Sequence, residues 1–277
     1  MDPKEREELG KGYVGQLTEA LTRQDATTAE TASRGLEKQF FMMHRALQRI
    51  LSTLLPLVLE RFRRHHGERF TLLRQMLEAG DWLTAERKLD DIKSHHRRFH
   101  DLYANWFAEL LTTFTNAYGD EELAELLRAS GEEFIGEFAR WNEMTVEEMV
   151  KASVFLQLSH PGGGLHIEED EEKYTLVQHP CGTGGRMLDE GKYAGETPYG
   201  RMADARPENA GHAGLPAYCA HCTVWNTLMT AERFGAPHWV IEHPIHSSCR
   251  IHIYKDRSRT PREYLERLGI HKGGGSK

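Results

Sequence analysis

The sequence predicts an α+β protein, with an N-terminal helical bundle or layer followed by a small antiparallel-sheet α/β domain that carries a cysteine-rich metal site. Three observations predict it. Apolar residues recur at helical spacing almost continuously as far as His160. Pro161-Gly162-Gly163-Gly164 then ends that pattern, because a proline and three glycines do not continue a helix cheaply. Short β-rich runs follow, and all four cysteines of the 277-residue chain fall among them. The expected boundaries are a helical domain over 1–160, an α/β domain over 161–272 and a flexible Gly-Ser-Lys tail over 273–277.

In the helical half, Gly67, Gly80, Gly119 and Gly131 mark breaks. Between Ala26 and His65, the residues Phe40, Met43, Leu47, Ile50, Leu51, Leu54 and Leu57 share one face, and Pro56 is expected to kink or interrupt this helix because it lacks an N–H. From Asp81 to Tyr118, a run from Trp82, Ala85, Leu89 and Ile92 to Leu110 and Phe114 steps by three and four, which is one buried stripe on a long helix. Shorter helices are expected over 120–129 and 132–158. Beyond the glycines, Leu165–Ile167 and Tyr174–Gln178 read as strands joined by an acidic turn, Glu168 to Glu172. Met187 to Pro216 is rich in Gly and Pro, a long irregular segment of the kind that is either functional or disordered. A helix over Tyr218–Phe234 closed by Gly235, strands over His238–His243 and Cys249–Tyr254, and a short helix over Pro261–Leu268 complete the chain. The order strand, strand, helix, strand, strand implies an antiparallel sheet with a helix against it.

Composition narrows the function classes. With 39% hydrophobic residues the chain can bury a core, so disorder throughout is excluded. The longest nearly apolar run, Ile50–Leu59, holds Ser52, Thr53 and Pro56 and falls well short of the roughly 20 residues a membrane span needs. Met1 to Glu8 is charged and lacks the apolar core of a secretory signal, so a cytoplasmic location is expected. A net charge of −7 with no long Lys/Arg run argues against nucleic acid. The expected partner is a small-molecule substrate, without nucleic acid or membrane; a homo-oligomer stays open.

Cys219-Ala220-His221-Cys222 places two thiols at the expected start of a helix, where both can turn toward one cation and the helix dipole favours their negative charge. Cys181 follows a strand and Cys249 opens another, so separate elements can bring four sulfurs together. In a cytoplasmic chain that set suits zinc, with an iron-sulfur cluster as the alternative. The other reading of each cysteine is a small buried residue or free thiol. Nine of the 16 histidines lie between His160 and His252. Among them His246, three residues before Cys249, is the substitute ligand if one cysteine is not bound. In His179-Pro180-Cys181-Gly182-Thr183-Gly184-Gly185-Arg186, the glycines let backbone amides approach an anion, Thr183 adds a hydroxyl, and Arg186 can take a carboxylate through two parallel hydrogen bonds. The functional reading is a substrate cradle of Thr183, Gly184 and Arg186 beside Cys181; the other is a tight glycine turn at a strand end.

With these residues in view, Tyr218 to Tyr254 resembles the 4-vinyl reductase-type domain: a cysteine-bearing helix ends in Phe234-Gly235, an acidic Glu242 sits on the next strand, and Cys249 begins the last. More widely, Pro180-Cys181-Gly182-Thr183-Gly184-Gly185-Arg186 and Tyr218-Cys219-Ala220-His221-Cys222 after a helical half resemble the L-2-amino-thiazoline-4-carboxylate hydrolase-like family. The first resemblance implies a small-molecule-binding sheet domain that often holds zinc, although His243 and His246 stand here where an extra cysteine is usual. The second implies opening or cleavage of a small sulfur- or nitrogen-containing acid.

The expected function is therefore a metal-binding enzyme, with zinc as cofactor, that cleaves a C–S or C–N bond of a carboxylate-bearing metabolite as a hydrolase or lyase. A catalytic zinc would take Cys219, Cys222 and Cys249 and keep one position open, with Cys181 a fourth ligand or a thiol beside the metal. His179 and His221 are the expected proton carriers and Arg186 the anchor. The alternatives are a small-molecule sensor or accessory protein with a closed, structural zinc site, and an iron-sulfur redox protein.

Overall fold

The computed structural model describes residues 3–243 and 248–270. The expected tail over 273–277 and the candidate ligand His246 lie outside the described residues. The architecture is a region of long helices followed by a small four-stranded antiparallel sheet with helices. The chain divides into two compact units, Met1–Ile92 and Lys93–Lys277, so the glycine-rich turn after His160 lies inside the second unit.

In the first unit α1 (Pro3–Arg23) turns back on α2 (Ala26–Glu78), whose N-terminus is capped by Asp25 accepting from the Thr28 amide at 3.1 Å. Gly35 is buried against the Tyr13 ring, where a Cβ would not fit. Contrary to expectation, α2 runs 53 residues without a break at Pro56 or Gly67. Pro56 removes only one N–H, and exposure lets water satisfy the carbonyl left behind. Its apolar stripe is not buried: Phe40, Ile50 and Leu54 are 52%, 54% and 54% exposed. Gly80, at φ 72°, reverses the chain into α3 (Trp82–Trp141), whose Asp91 is ion-paired with Arg69 and Lys88.

In the second unit α3 continues to Trp141, bent at Gly119 where φ is 87°. It buries Ala104, Ala108, Leu111, Leu123 and Leu127 against Met187, Met202, Leu215 and Val224. The break expected at Gly119 is present as this non-helical residue, whereas the one expected at Gly131 is not: the helical segment after Gly119 runs on to Trp141, and α4 (Val146–Leu158) follows, opening with a reciprocal cap between Thr145 and Glu148. The sheet contains β1 (Leu165–Glu169), β2 (Lys173–Gln178), β3 (Val240–Glu242) and β4 (Cys249–Tyr254) in the order β1-β2-β4-β3. Alternation along β4 sends Ile251 and Ile253 to one face, where Leu176, Ile241 and Trp239 meet Met149 and Val150 of α4. Tyr254 and Val240 face the other side and pack on Tyr264 and Leu265 of α8 (Arg262–Arg267) and on Leu268.

Residues 187–216 are ordered rather than disordered. They complete α5 (Gly184–Asp189), form a single 3-10 turn at Pro207–Asn209 and bury Met202 and Leu215. The helix expected over 218–234 is present and continuous, with a π turn inside it: α6 (Ala217–Thr223) passes through the π turn (Val224–Leu228) into α7 (Met229–Phe234), closed by Gly235 at φ 80°.

Candidate functional site

The β2–β4 register pairs Gln178 with Cys249, so the start of β4 lies beside the end of β2, from which the chain runs on to Cys181. Cys219 and Cys222 are three residues apart on α6 and therefore on one helical face. All four cysteines line one cavity of about 50 Å³, together with His160, His221 and His243. The glycines of the string after His179 have a packing reason. A Cβ on Gly184 would stand 2.7 Å from the Cys219 sulfur, and one on Gly182 would stand 2.5 Å from the His160 carbonyl oxygen.

Burial pushes the thiols of Cys219 and Cys249 far up and that of Cys222 to about 12, and the neighbouring cysteines add to each shift. Without a cation these groups are neutral thiols. Among the described residues, no group of three or more His, Cys, Asp or Glu side chains converges to hold a metal ion, so the metal site expected of this domain is not formed as a ligand set.

The two expected proton carriers part company. His221 is on the cavity wall, its Nδ1 bonded to the Tyr218 carbonyl and its Nε2 3.4 Å from the Cys222 sulfur, and burial pulls its pKa down to about 4. His179 is exposed, bonds Ser248 and is not among the cavity-lining residues. Thr183 and Gly184 line the cavity, but Arg186 is only 8% exposed and its guanidinium is already engaged. Its Nε donates to the Gly182 carbonyl at 2.7 Å, and both terminal nitrogens face Asp101. Arg186 therefore holds an internal carboxylate where a substrate carboxylate was expected.

That carboxylate opens a chain of polar groups that sequence reasoning missed. His100 Nδ1 lies 3.0 Å from Asp101 Oδ1, and His100 Nε2 lies 3.0 Å from His160 Nδ1. The Thr183 hydroxyl is 3.2 Å from each of these two ring nitrogens. If His100 donates from Nδ1 to the carboxylate, its Nε2 accepts from His160 Nδ1, and the lone pair of His160 is then on Nε2. Burial lowers the pKa of His160 to about 4, helped by His100, and lowers that of His100 against the pull of Asp101. For Asp101, burial acts upward but is outweighed by the hydrogen bonds from Arg186 and His100, and the carboxyl is held below its usual range. The arrangement is a base oriented by a histidine that is oriented by a carboxylate. The available sequence signal was faint, since His100 is four residues past His96 on a stripe otherwise concerned with packing.

Among the described residues no helix is long and apolar enough to cross a membrane. Comparison with protein-family models, curated proteins and solved structures returned no match.

Proposed function

We propose that this chain is a zinc-dependent enzyme that cleaves a C–S or C–N bond of a small carboxylate-bearing metabolite by hydrolysis or elimination. The observation that carries the proposal is the Asp101–His100–His160 chain ending at a cavity lined by all four cysteines. The donors are of the kind zinc takes: four cysteine sulfurs and three imidazoles line one cavity. Cys219, Cys222 and Cys249 would hold the ion, with Cys181 as fourth ligand or free thiol. Bound there, zinc would polarise a substrate bond or acidify a water.

The residues of the chain have separable roles. His160 takes a proton at Nε2 from a water or from the substrate. His100 passes orientation from Asp101 to His160 and, with it, stabilises the imidazolium that forms. Arg186 holds Asp101 in place and ionised. His221, bonded through Nδ1 to a backbone carbonyl, has one tautomer set, with its lone pair on Nε2, and is the second candidate proton acceptor. The sequence resemblance to thiazoline-carboxylate hydrolases supports the choice of substrate class.

Elemental analysis after anaerobic purification, with turnover of 2-amino-thiazoline-4-carboxylate as the first assay, tests the proposal. About one zinc per chain is expected. The zinc should be retained but activity lost by at least a hundredfold in His160→Asn, and zinc should fall in Cys222→Ser. Zinc kept in Cys181→Ser would mark that thiol as free. Iron with sulfide, no metal, or full activity in His160→Asn would overturn the proposal.

A further inference from the structure

At about 50 Å³ the inner cavity accepts one or two water-sized groups, so the rest of any metabolite has to lie outside it. A second, larger recess of about 510 Å³ shares one wall with it, since His243 lines both. This outer groove is lined by Arg201, His212, Glu242, His243 and Arg267 and by the backbone around Gly214.

Its two arginines are arranged alike. Arg201 lies over the Tyr193 ring at 4.9 Å and donates to the Gly214 carbonyl at 2.9 Å. Arg267 lies over the Tyr264 ring at 5.0 Å and has Nη1 3.2 Å from His212 Nε2. Each guanidinium is thus held by an aromatic face and one neutral acceptor, and among the described residues neither pairs with a carboxylate. The acidic residue of the groove, Glu242, is engaged by His252 at 3.2 Å and Arg250 at 4.0 Å. In a chain of net charge −7, two oriented and uncompensated guanidinium groups beside a recess form a local anion-attracting site.

We propose that Arg201 and Arg267 form the binding site for the oxyanion group of the substrate, a carboxylate or phosphate, and place its other end against His243 and the inner cavity. The site rests on the reading above only for what happens at the inner end; the anion site itself stands on the groove. His212 accepts from Arg267 and sets the orientation of that side chain.

The test titrates the full-length protein with malonate and, separately, with inorganic phosphate, by calorimetry at constant ionic strength. Saturable binding of at least one is expected, and the preferred ion identifies the oxyanion. Arg201→Gln and Arg267→Gln should each weaken it at least tenfold, whereas Arg262→Gln, on an exposed helical pair with Glu266, should leave it unchanged. The His212 ring-proton signals of the unmodified protein should shift along the same titration, which keeps the test valid if a variant misfolds. No saturable binding, unmoved His212 signals, or affinity unchanged from the parent in either arginine variant would overturn the proposal. Zinc content measured on the same samples separates this outcome from the fate of the enzyme reading.

A different observation concerns the first unit. Phe40, Met43, Leu47, Ile50, Leu54 and Leu57 step strictly by three and four along α2, a heptad seam with every member between 47% and 54% exposed. The positions that would meet across two parallel copies pair Gln39 with His44, Ala46 with Leu51 and Thr53 with Val58, so no like charges oppose. With each side chain about half exposed, pairing two seams buries on the order of 1,000 Å², the lower bound for a specific interface. We infer that this seam pairs with the same seam of a second copy. Sedimentation should show a dimer at micromolar concentration, converted to a helical monomer by Leu47→Glu with Leu54→Glu. A monomeric parent, or a dimer that survives both substitutions, would overturn the inference.

Discussion

His238 shows how one buried residue couples stability to pH. Its ring is stacked between Trp141 at 5.9 Å and Phe234 at 5.5 Å, and its Nε2 is 3.1 Å from Asn142 Oδ1. Burial, with the nearby Arg257 charge, lowers its pKa from 6.5 to about 4. Between those values the unfolded chain binds a proton that the folded chain does not, so stability is complete above about pH 6.5 and declines as pH falls toward 4. The loss amounts to at most about 3 kcal/mol. Denaturant melts of His238→Phe, which keeps the stack, should lose that part of the pH dependence; an unchanged profile would assign it to other groups. Asp101→Ala leaves the buried Arg186 charge with the longer Glu190 contact, at 3.5 Å, in place of its two contacts to Asp101. It should cost about 2–4 kcal/mol, allowing for partial exposure of the carboxylate, and Arg186→Met in the same chain should recover part of the loss. The long-range partner of Arg186 was not legible in the sequence: the guanidinium and the carboxylate it meets are separated by 85 positions.

At the scale of elements, periodicity carried far but not everywhere. β4 was read over its full length from the alternation of Cys249 to Tyr254, and Gly235 marked the end of α7. The π turn at Val224–Leu228 was not visible, because one extra residue in a helical turn leaves apolar spacing almost unchanged. The glycine string before α5 was legible as a turn, whereas its reason, the Cys219 sulfur and the His160 backbone, required the packed structure. Gly182→Ala meets a backbone carbonyl and should cost about 1–3 kcal/mol. Gly184→Ala displaces the Cys219 sulfur and should lower zinc content more than stability, measured by elemental analysis beside thermal melts. Pro56→Ala restores a helical N–H in α2 and should stabilise the first unit by about 1–3 kcal/mol, seen as a raised melting temperature.

For the whole molecule, the clusters of buried residues all lie in the second unit, whereas the first buries few apolar side chains, so the cooperative transition seen in calorimetry should be that of the second unit. That transition, from the unit that contains His238, should move to lower temperature as pH falls from 6.5 to 4; a midpoint unmoved across that range would contradict this. By itself the sequence determined a helical N-terminal region followed by a small antiparallel sheet with helices, because hydrophobic period, glycine and proline act through near neighbours on the chain. Only the tertiary structure decided that α2 would present its apolar stripe outward, that Arg186 would meet Asp101, and that His100 and His160 would join at the wall of the cysteine-lined cavity. Those outcomes depend on which surfaces pack across 60 or more positions, and helical spacing is the same whether a stripe meets its own chain or is left exposed.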